Sequence, residues 1–170
     1  MRLVIDPNVL VSGSFSSGAT GQLVDRWLTD RPFELIVSPL LLAELEEVLL
    51  RPKFRRWLDE DTAHSYIDRL RSEATPAKDP EIVPAVTRDP TDDYLVALAR
   101  EVRADYLVSG DLDLLQLADP SPPVVNPSLA LHLLGLGQRP EREEDEAEAG
   151  QDQKRSTTDQ EGANSSDEDA

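Results

Sequence analysis

Leu3-Val4-Ile5 is an unbroken apolar run that stops at Asp6 and is followed by Pro7, Asn8 and Val9. A short run without polar alternation reads as a central strand buried on both faces. Ser and Gly dominate residues 12–21, which read as a loop, and a helix over 22–28 follows with Leu23, Trp27 and Leu28 on its buried side. The apolar run within 33–37 is a second strand. Ser38-Pro39 then supplies an N-cap and a first-turn proline for a helix through Leu50, apolar at 41, 42, 45, 48 and 49. Residues 61–73 predict another helix with Tyr66, Ile67 and Leu70 inward, and the Pro-rich stretch 76–84 is a connection with Ile82-Val83 as a candidate short strand. A helix carrying Leu95, Val96, Leu98, Ala99 and Val102 leads to a strand at 106–108. A short helix through Leu117, a last short strand at Val124-Val125 and a helix over 128–136 complete the pattern. Strands alternating with helices predict an α/β fold with a parallel, right-handed sheet.

The pattern stops at residue 140. From 141 to 170 there are no Val, Ile, Leu, Met or aromatic residues, and the net charge is −9. Such a segment cannot bury enough apolar surface to offset its chain entropy, so residues 1–140 are expected to form the domain and 141–170 a disordered acidic tail. Of the chain's net charge of −17, the domain keeps −8. An acidic domain disfavours nonspecific nucleic-acid binding, so any such role requires a local basic patch or bound cations.

With no Cys, disulfides, thiolate catalysis and Cys-built zinc or iron–sulfur sites are excluded, and the two His do not suffice for a His-rich site. Any metal should be a hard cation on carboxylate oxygens, Mg²⁺ or Mn²⁺. No stretch approaches the ~20 apolar residues of a membrane span and no signal-peptide pattern opens the chain, so a cytoplasmic location with no membrane association is expected.

Acids stand where such a site could form. Asp6 and Asp111 each follow a buried strand, at the edge of an α/β sheet where ligands bind, although each could equally cap the turn or helix that follows. Asp89, Asp92 and Asp93 open a helix, as capping and dipole preferences alone would arrange. Asp92, four residues before Val96, shares its inward face. Glu44 and Glu46 border the apolar stripe of their helix about equally, and periodicity does not choose between them. Arg51, Lys53, Arg55 and Arg56 interleave with Phe54 and Trp57, a grip for a phosphate backbone or a stacked base. The plainer reading makes the aromatics core anchors and the cations a solvated face, and the aromatics favour it.

Four carboxylates converging without Lys or Arg partners persist only if cations neutralise them, and the chemistry using such a site is metal-assisted phosphoryl transfer. In order and spacing, VIDPNVLVSG (4–13), SPLLLAELEEVLLRPKF (38–54), RDPTDDYLVALA (88–99) and YLVSGDLDLL (106–115) resemble the PIN-domain nucleases, in particular the VapC-like toxins of prokaryotic toxin–antitoxin pairs. The resemblance spans residues 2 to about 135. It implies a three-layer α/β/α sandwich with a mainly parallel sheet, and a Mg²⁺- or Mn²⁺-dependent ribonuclease. It further implies an RNA substrate, a cognate antitoxin partner and a homodimer.

By position the family's catalytic and metal-binding acids fall on Asp6, Glu44, Asp92 and Asp111, with Asp113 as a further ligand and Asn8 in support. The resemblance selects Glu44 over Glu46 because the family's glutamate follows a small residue, here Ala43. Arg51, Lys53, Arg55, Arg56 and Arg88 are the candidate RNA contacts. One departure stands out: where the family usually has Thr or Ser after the first Asp, this chain has Pro7, and a hydroxyl that could bind a metal-bound water is missing.

Two rivals belong to other classes. Asp6-Pro7-Asn8 and Gly110-Asp111 echo the haloacid-dehalogenase-like phosphatases, but that chemistry normally needs a second Asp where this chain has Asn8, and a Lys, while Lys78 sits in no suitable motif. The other rival is a catalytically inactive PIN domain acting as a binding module, against which the presence of all four acids argues.

Overall fold

The computed structural model describes residues 1–137. The acidic tail expected at 141–170 lies outside the described residues. Strand β1 (Arg2–Ile5) leads into helices α1 (Pro7–Gly13) and α2 (Ala19–Asp30), then strand β2 (Glu34–Val37). Helix α3 (Pro39–Leu49), a single 3₁₀ turn at Pro52–Phe54 and helix α4 (Glu60–Glu73) connect to strand β3 (Thr75–Pro76). Helix α5 (Asp93–Glu101), strand β4 (Tyr106–Val108), helix α6 (Leu112–Leu115), strand β5 (Val124–Val125) and helix α7 (Pro127–Leu133) complete the described chain.

The sheet runs β3-β2-β1-β4-β5 with every pairing parallel. Right-handed crossovers set the layers. The chain moves one way across the sheet from β1 to β3, which puts α1–α4 on one face. It then returns through α5 to β4 and β5, which puts α5 on the other, packed over β1 and β4. Helix α7 packs on α2 and closes the first face. The result is an α/β/α sandwich whose central strand β1 is buried on both sides: Leu3, Val4 and Ile5 have almost no exposed surface, and each contributes about 1.5–3 kcal/mol by burial.

Strand order reverses between β1 and β4. In open α/β sheets the crevice beyond the carboxyl ends of the strands at such a point is where ligands bind. Asp6 follows β1 directly, and Ser109 to Asp111 follow β4.

Three local expectations are corrected. Residues 7–13 form helix α1 and not only a turn: Asp6 caps it by accepting from the Asn8 N–H at 2.7 Å, and Pro7 takes the first helical position, where its missing N–H costs nothing. Ile82-Val83 is not a strand. Both side chains are exposed, and the outer strand is Thr75–Pro76, which pairs with Ile36 and Val37 through backbone alone. Trp57 is no core anchor, being 53% exposed, whereas Phe54 is partly buried against the core.

Candidate functional site

Asp6 is buried, and both of its carboxylate oxygens are engaged. Oδ1 accepts from the Asn8 N–H, and Oδ2 accepts from the Ser109 hydroxyl at 2.6 Å. Ser109, itself fully buried, also accepts from the Asp111 N–H at 3.0 Å, so one hydroxyl joins the ends of β1 and β4. Asp111 caps α6 by accepting from the Asp113 N–H at 2.7 Å, and it is exposed at the crevice. Across from these strands, Glu44 is half-buried on α3, and its Oε2 accepts from the buried Tyr94 hydroxyl of α5 at 2.5 Å. Asp92 stands half-buried at the start of α5 and makes no capping bond with its side chain.

The electrostatics show that these acids share one field. Burial pushes the Asp6 carboxyl above its ordinary value against the Ser109 and Asn8 hydrogen bonds, with the charge of Asp111 adding to the rise. Burial raises Glu44 as well, opposed by the Tyr94 hydrogen bond and last by the charge of Arg51, and reinforced by Asp6 and Glu47. Asp92 is pushed up to about 6, first by burial, then by the charges of Asp6, Asp89, Asp111 and Glu44. The charges of Asp6, Glu44 and Asp111 each raise at least one other acid of the four, and no cation pairs with any of the four within ion-pair distance among the described residues. That is the charge pattern of a cation site.

Glu44 and Glu46 part company here. Glu46 turns toward α4, where His64 lies at 3.8 Å and Arg71 at 3.9 Å, while Glu44 faces the other acids. Asp92 and Asp93 part likewise. Asp93 is the more deeply buried, but its Oδ1 accepts from the Val86 N–H, the Thr87 N–H and the Thr87 hydroxyl at 2.7–3.0 Å, so its charge is spent tying the preceding loop to α5.

Among the described residues no three acidic or His side chains are gathered tightly enough to hold an ion as they stand. The donor set nevertheless suits a hard divalent cation. It is all oxygen, and Mg²⁺ keeps much of its water and needs only one or two direct carboxylates, so an ion can bridge to the remaining acids through bound water.

The basic segment is less uniform than its sequence. Arg55 pairs with Glu60, and Arg51 with Glu47 at 3.2 Å, while Arg88 reaches Asp113 at 3.3 Å on the rim of the crevice. Lys53 and Arg56 lie over the rings of Phe54 and Trp57, at 4.8 and 3.6 Å from the ring centroids.

Comparison with known proteins names the scaffold. The PIN domain family model matches residues 2–113. The chain belongs to the PIN-domain family. An uncharacterised protein of Methanocaldococcus jannaschii, MJ1680, is 28% identical over 120 residues, 70% of this chain and 76% of its own. The PIN domain fold is also that of PAE2754 from Pyrobaculum aerophilum, at a TM-score of 0.54 with 17% identity over 79% of this chain and 88% of that one. VapBC2 from Rickettsia felis, solved bound to a DNA fragment from its promoter, matches at 0.51 with 14% identity over 74% of this chain and 98% of that one. Membership in the PIN-domain family sets aside the haloacid-dehalogenase alternative.

Ser109 and Tyr94 shape this PIN domain's crevice without having stood out in the sequence, where Asp93 stood out only as one of three acids opening a helix. Ser109 had the clearest signal, a small hydroxyl residue at the end of an apolar strand, two positions before an acid. Tyr94 had none, because its partner lies 50 residues away.

Proposed function

We propose that this PIN domain is a metal-dependent endoribonuclease, hydrolysing RNA phosphodiester bonds with Mg²⁺ or Mn²⁺ held by Asp6, Glu44, Asp92 and Asp111, with Asp113 within reach. The observation that carries this reading is the set of four carboxylates, drawn from four separate segments, at the switch point of the sheet, where burial and then the charges of neighbouring acids raise the proton affinity of Asp6, Glu44 and Asp92. The metal, when bound, lowers the pKa of an attacking water and offsets charge on the scissile phosphate.

The chain's own residues prepare that arrangement. Ser109 and the Asn8 N–H fix the Asp6 carboxylate, and Tyr94 fixes Glu44, so the donor atoms are held before any ion arrives. With Pro7 in place of a hydroxyl residue, Ser109 is the hydroxyl that touches Asp6. The exposed Asn8 amide and the Arg88 guanidinium stand on the rim, placed to contact phosphates that flank the cut. Toxin activity against RNA in the cytoplasm, restrained by a cognate antitoxin, and a homodimeric assembly are the biological form of this proposal. The fold shared with the Rickettsia felis VapBC2 structure supports it.

The test is cleavage of a panel of single-stranded and hairpin RNAs by the full chain. Cleavage is expected with Mg²⁺ or Mn²⁺, to stop in excess EDTA, and to fall by orders of magnitude in Asp6→Asn while circular dichroism stays unchanged. Undiminished cleavage in EDTA, or full activity in Asp6→Asn, overturns it. Binding without cleavage under every metal condition would instead make the chain an inactive PIN domain serving as a binding module.

A further inference from the structure

Three aromatic rings from two loops pack together on the surface. Phe15 follows α1, and Phe54 and Trp57 follow α3. Their ring centroids are 5.3 Å apart for Phe15 and Phe54, 5.9 Å for Phe15 and Trp57, and 6.5 Å for Phe54 and Trp57, with Phe15 and Trp57 stacked nearly parallel at 15°. Phe15 is 40% exposed and Trp57 53%. Keeping such rings in water is costly, and a cluster of them marks a surface that something covers.

The cations indicate what that is. Arg51 and Arg55 are matched by Glu47 and Glu60, but among the described residues Lys53 and Arg56 have no carboxylate partner within ion-pair distance and lie instead on the aromatic rings. Stacked rings whose outer surface carries unmatched cations, Arg56 adding its planar guanidinium over Trp57, on a domain that is acidic as a whole, are complementary to a ligand that is both aromatic and anionic. We infer that Phe15, Phe54 and Trp57, with Lys53 and Arg56, form a stacking platform for an unpaired base of single-stranded RNA, the two cations meeting its phosphates.

Position agrees with this occupant. Asp6 caps the start of α1 and Phe15 follows its end, while Glu44 lies on α3 and Phe54 follows that helix. Helices α1 and α3 pack side by side, and the rings follow their C-terminal ends, with Asp6 at the start of α1 and Glu44 midway along α3, roughly 7–11 Å back along the helix axes. A strand crossing the acids reaches the platform within a few nucleotides of the cut. The loop is pinned to that place: a side chain at Gly21 would put its Cβ 1.6 Å from the Ser16 carbonyl oxygen, so only glycine lets α2 approach the loop that carries Phe15.

The platform rests on the ribonuclease reading for its substrate class, and the test separates the two. Trp27 is buried and Trp57 exposed, so the emission lost in Trp57→Leu is the platform's own signal. In an Asp6→Asn background, which keeps RNA intact, decaadenylate RNA is expected to quench that signal, while an abasic ribose-phosphate chain of equal length is not. Phe15→Leu and Trp57→Leu should each weaken binding of the RNA about 5- to 100-fold, the range for one lost base–aromatic stack, without changing circular dichroism. Equal quenching by the abasic chain, or unchanged RNA affinity in both variants, overturns the platform. So does a dimer in sedimentation that Trp57→Leu dissociates while RNA affinity holds, because the patch would then be a protein interface. A platform that binds as expected in a chain that cleaves no RNA leaves the platform standing and removes the nuclease.

Discussion

Asp92 and Asp93 are adjacent acids with opposite electrostatic settings, and substitution should separate them. Asp93 satisfies two backbone N–H groups and a hydroxyl, and although burial alone would raise its pKa, those bonds hold it below the usual carboxylate range. Asp93→Ala leaves these donors unpaired and should cost about 1–3 kcal/mol in urea unfolding. Asp92, held up to about 6 by burial and neighbouring acids, destabilises the fold when ionised. Between pH 4 and 6 the folded chain keeps a proton that the unfolded chain has released, so this group's contribution to stability falls as pH rises through that window. Asp92→Asn should therefore unfold later than the wild type at pH 7 in the absence of metal, by about 1–3 kcal/mol after allowance for solvent screening, and lose the difference near pH 4. Parallel pH profiles for the two proteins would contradict it. Sequence periodicity placed Asp92 on an inward face correctly. It had no means of seeing that Asp93 is the more buried, because the loop that buries it folds back from residues 86 and 87.

At the scale of elements, the strands that a continuous apolar run marks, β1, β2 and β4, were legible, and so were the helices with a full apolar stripe. What escaped was short or held by backbone. Helix α1 has seven residues, opens on Asp-Pro and ends in Ser-Gly, all of which serve a turn equally well. Strand β3 is two residues, one a proline, and it joins the sheet edge by backbone pairing that no side-chain pattern records. The choice between Glu44 and Glu46 turned on which neighbour α3 packs against, and the structure puts Glu46 with α4. Glu46→Gln should therefore leave metal-dependent activity within about twofold of wild type, whereas Glu44→Gln should lower it at least tenfold, a loss of about 1.4 kcal/mol or more in transition-state stabilisation. Equal activities would remove Glu44 from the site. Gly21→Ala should shift the loop carrying Phe15 and lower thermal stability, since the obstruction is backbone. An unchanged melting temperature would show that the loop yields freely.

Under the proposed function a net-acidic chain acts on an acidic polymer, and the layout of the whole molecule is compatible with that. Chain reversal between β1 and β4 opens one crevice, four segments deliver carboxylates to it, and a local aromatic and cationic surface follows the C-terminal ends of α1 and α3. The acids, the strand ends and the sheet class were readable in order along the chain. Their convergence was expected only through the PIN resemblance, since it depends on the crossovers and no periodicity records it, and the grouping of Phe15 with Trp57, 42 positions later, was not readable at all. A divalent cation should bind this crevice because it relieves repulsion that the fold otherwise bears. The most direct test is calorimetric titration of Mn²⁺ at pH 7 into the full-length wild type and Asp6→Asn, where weak binding by other acidic stretches is common to both. The account predicts a stoichiometric site in the wild type that is weakened at least tenfold in Asp6→Asn. Identical isotherms for the two proteins would contradict it.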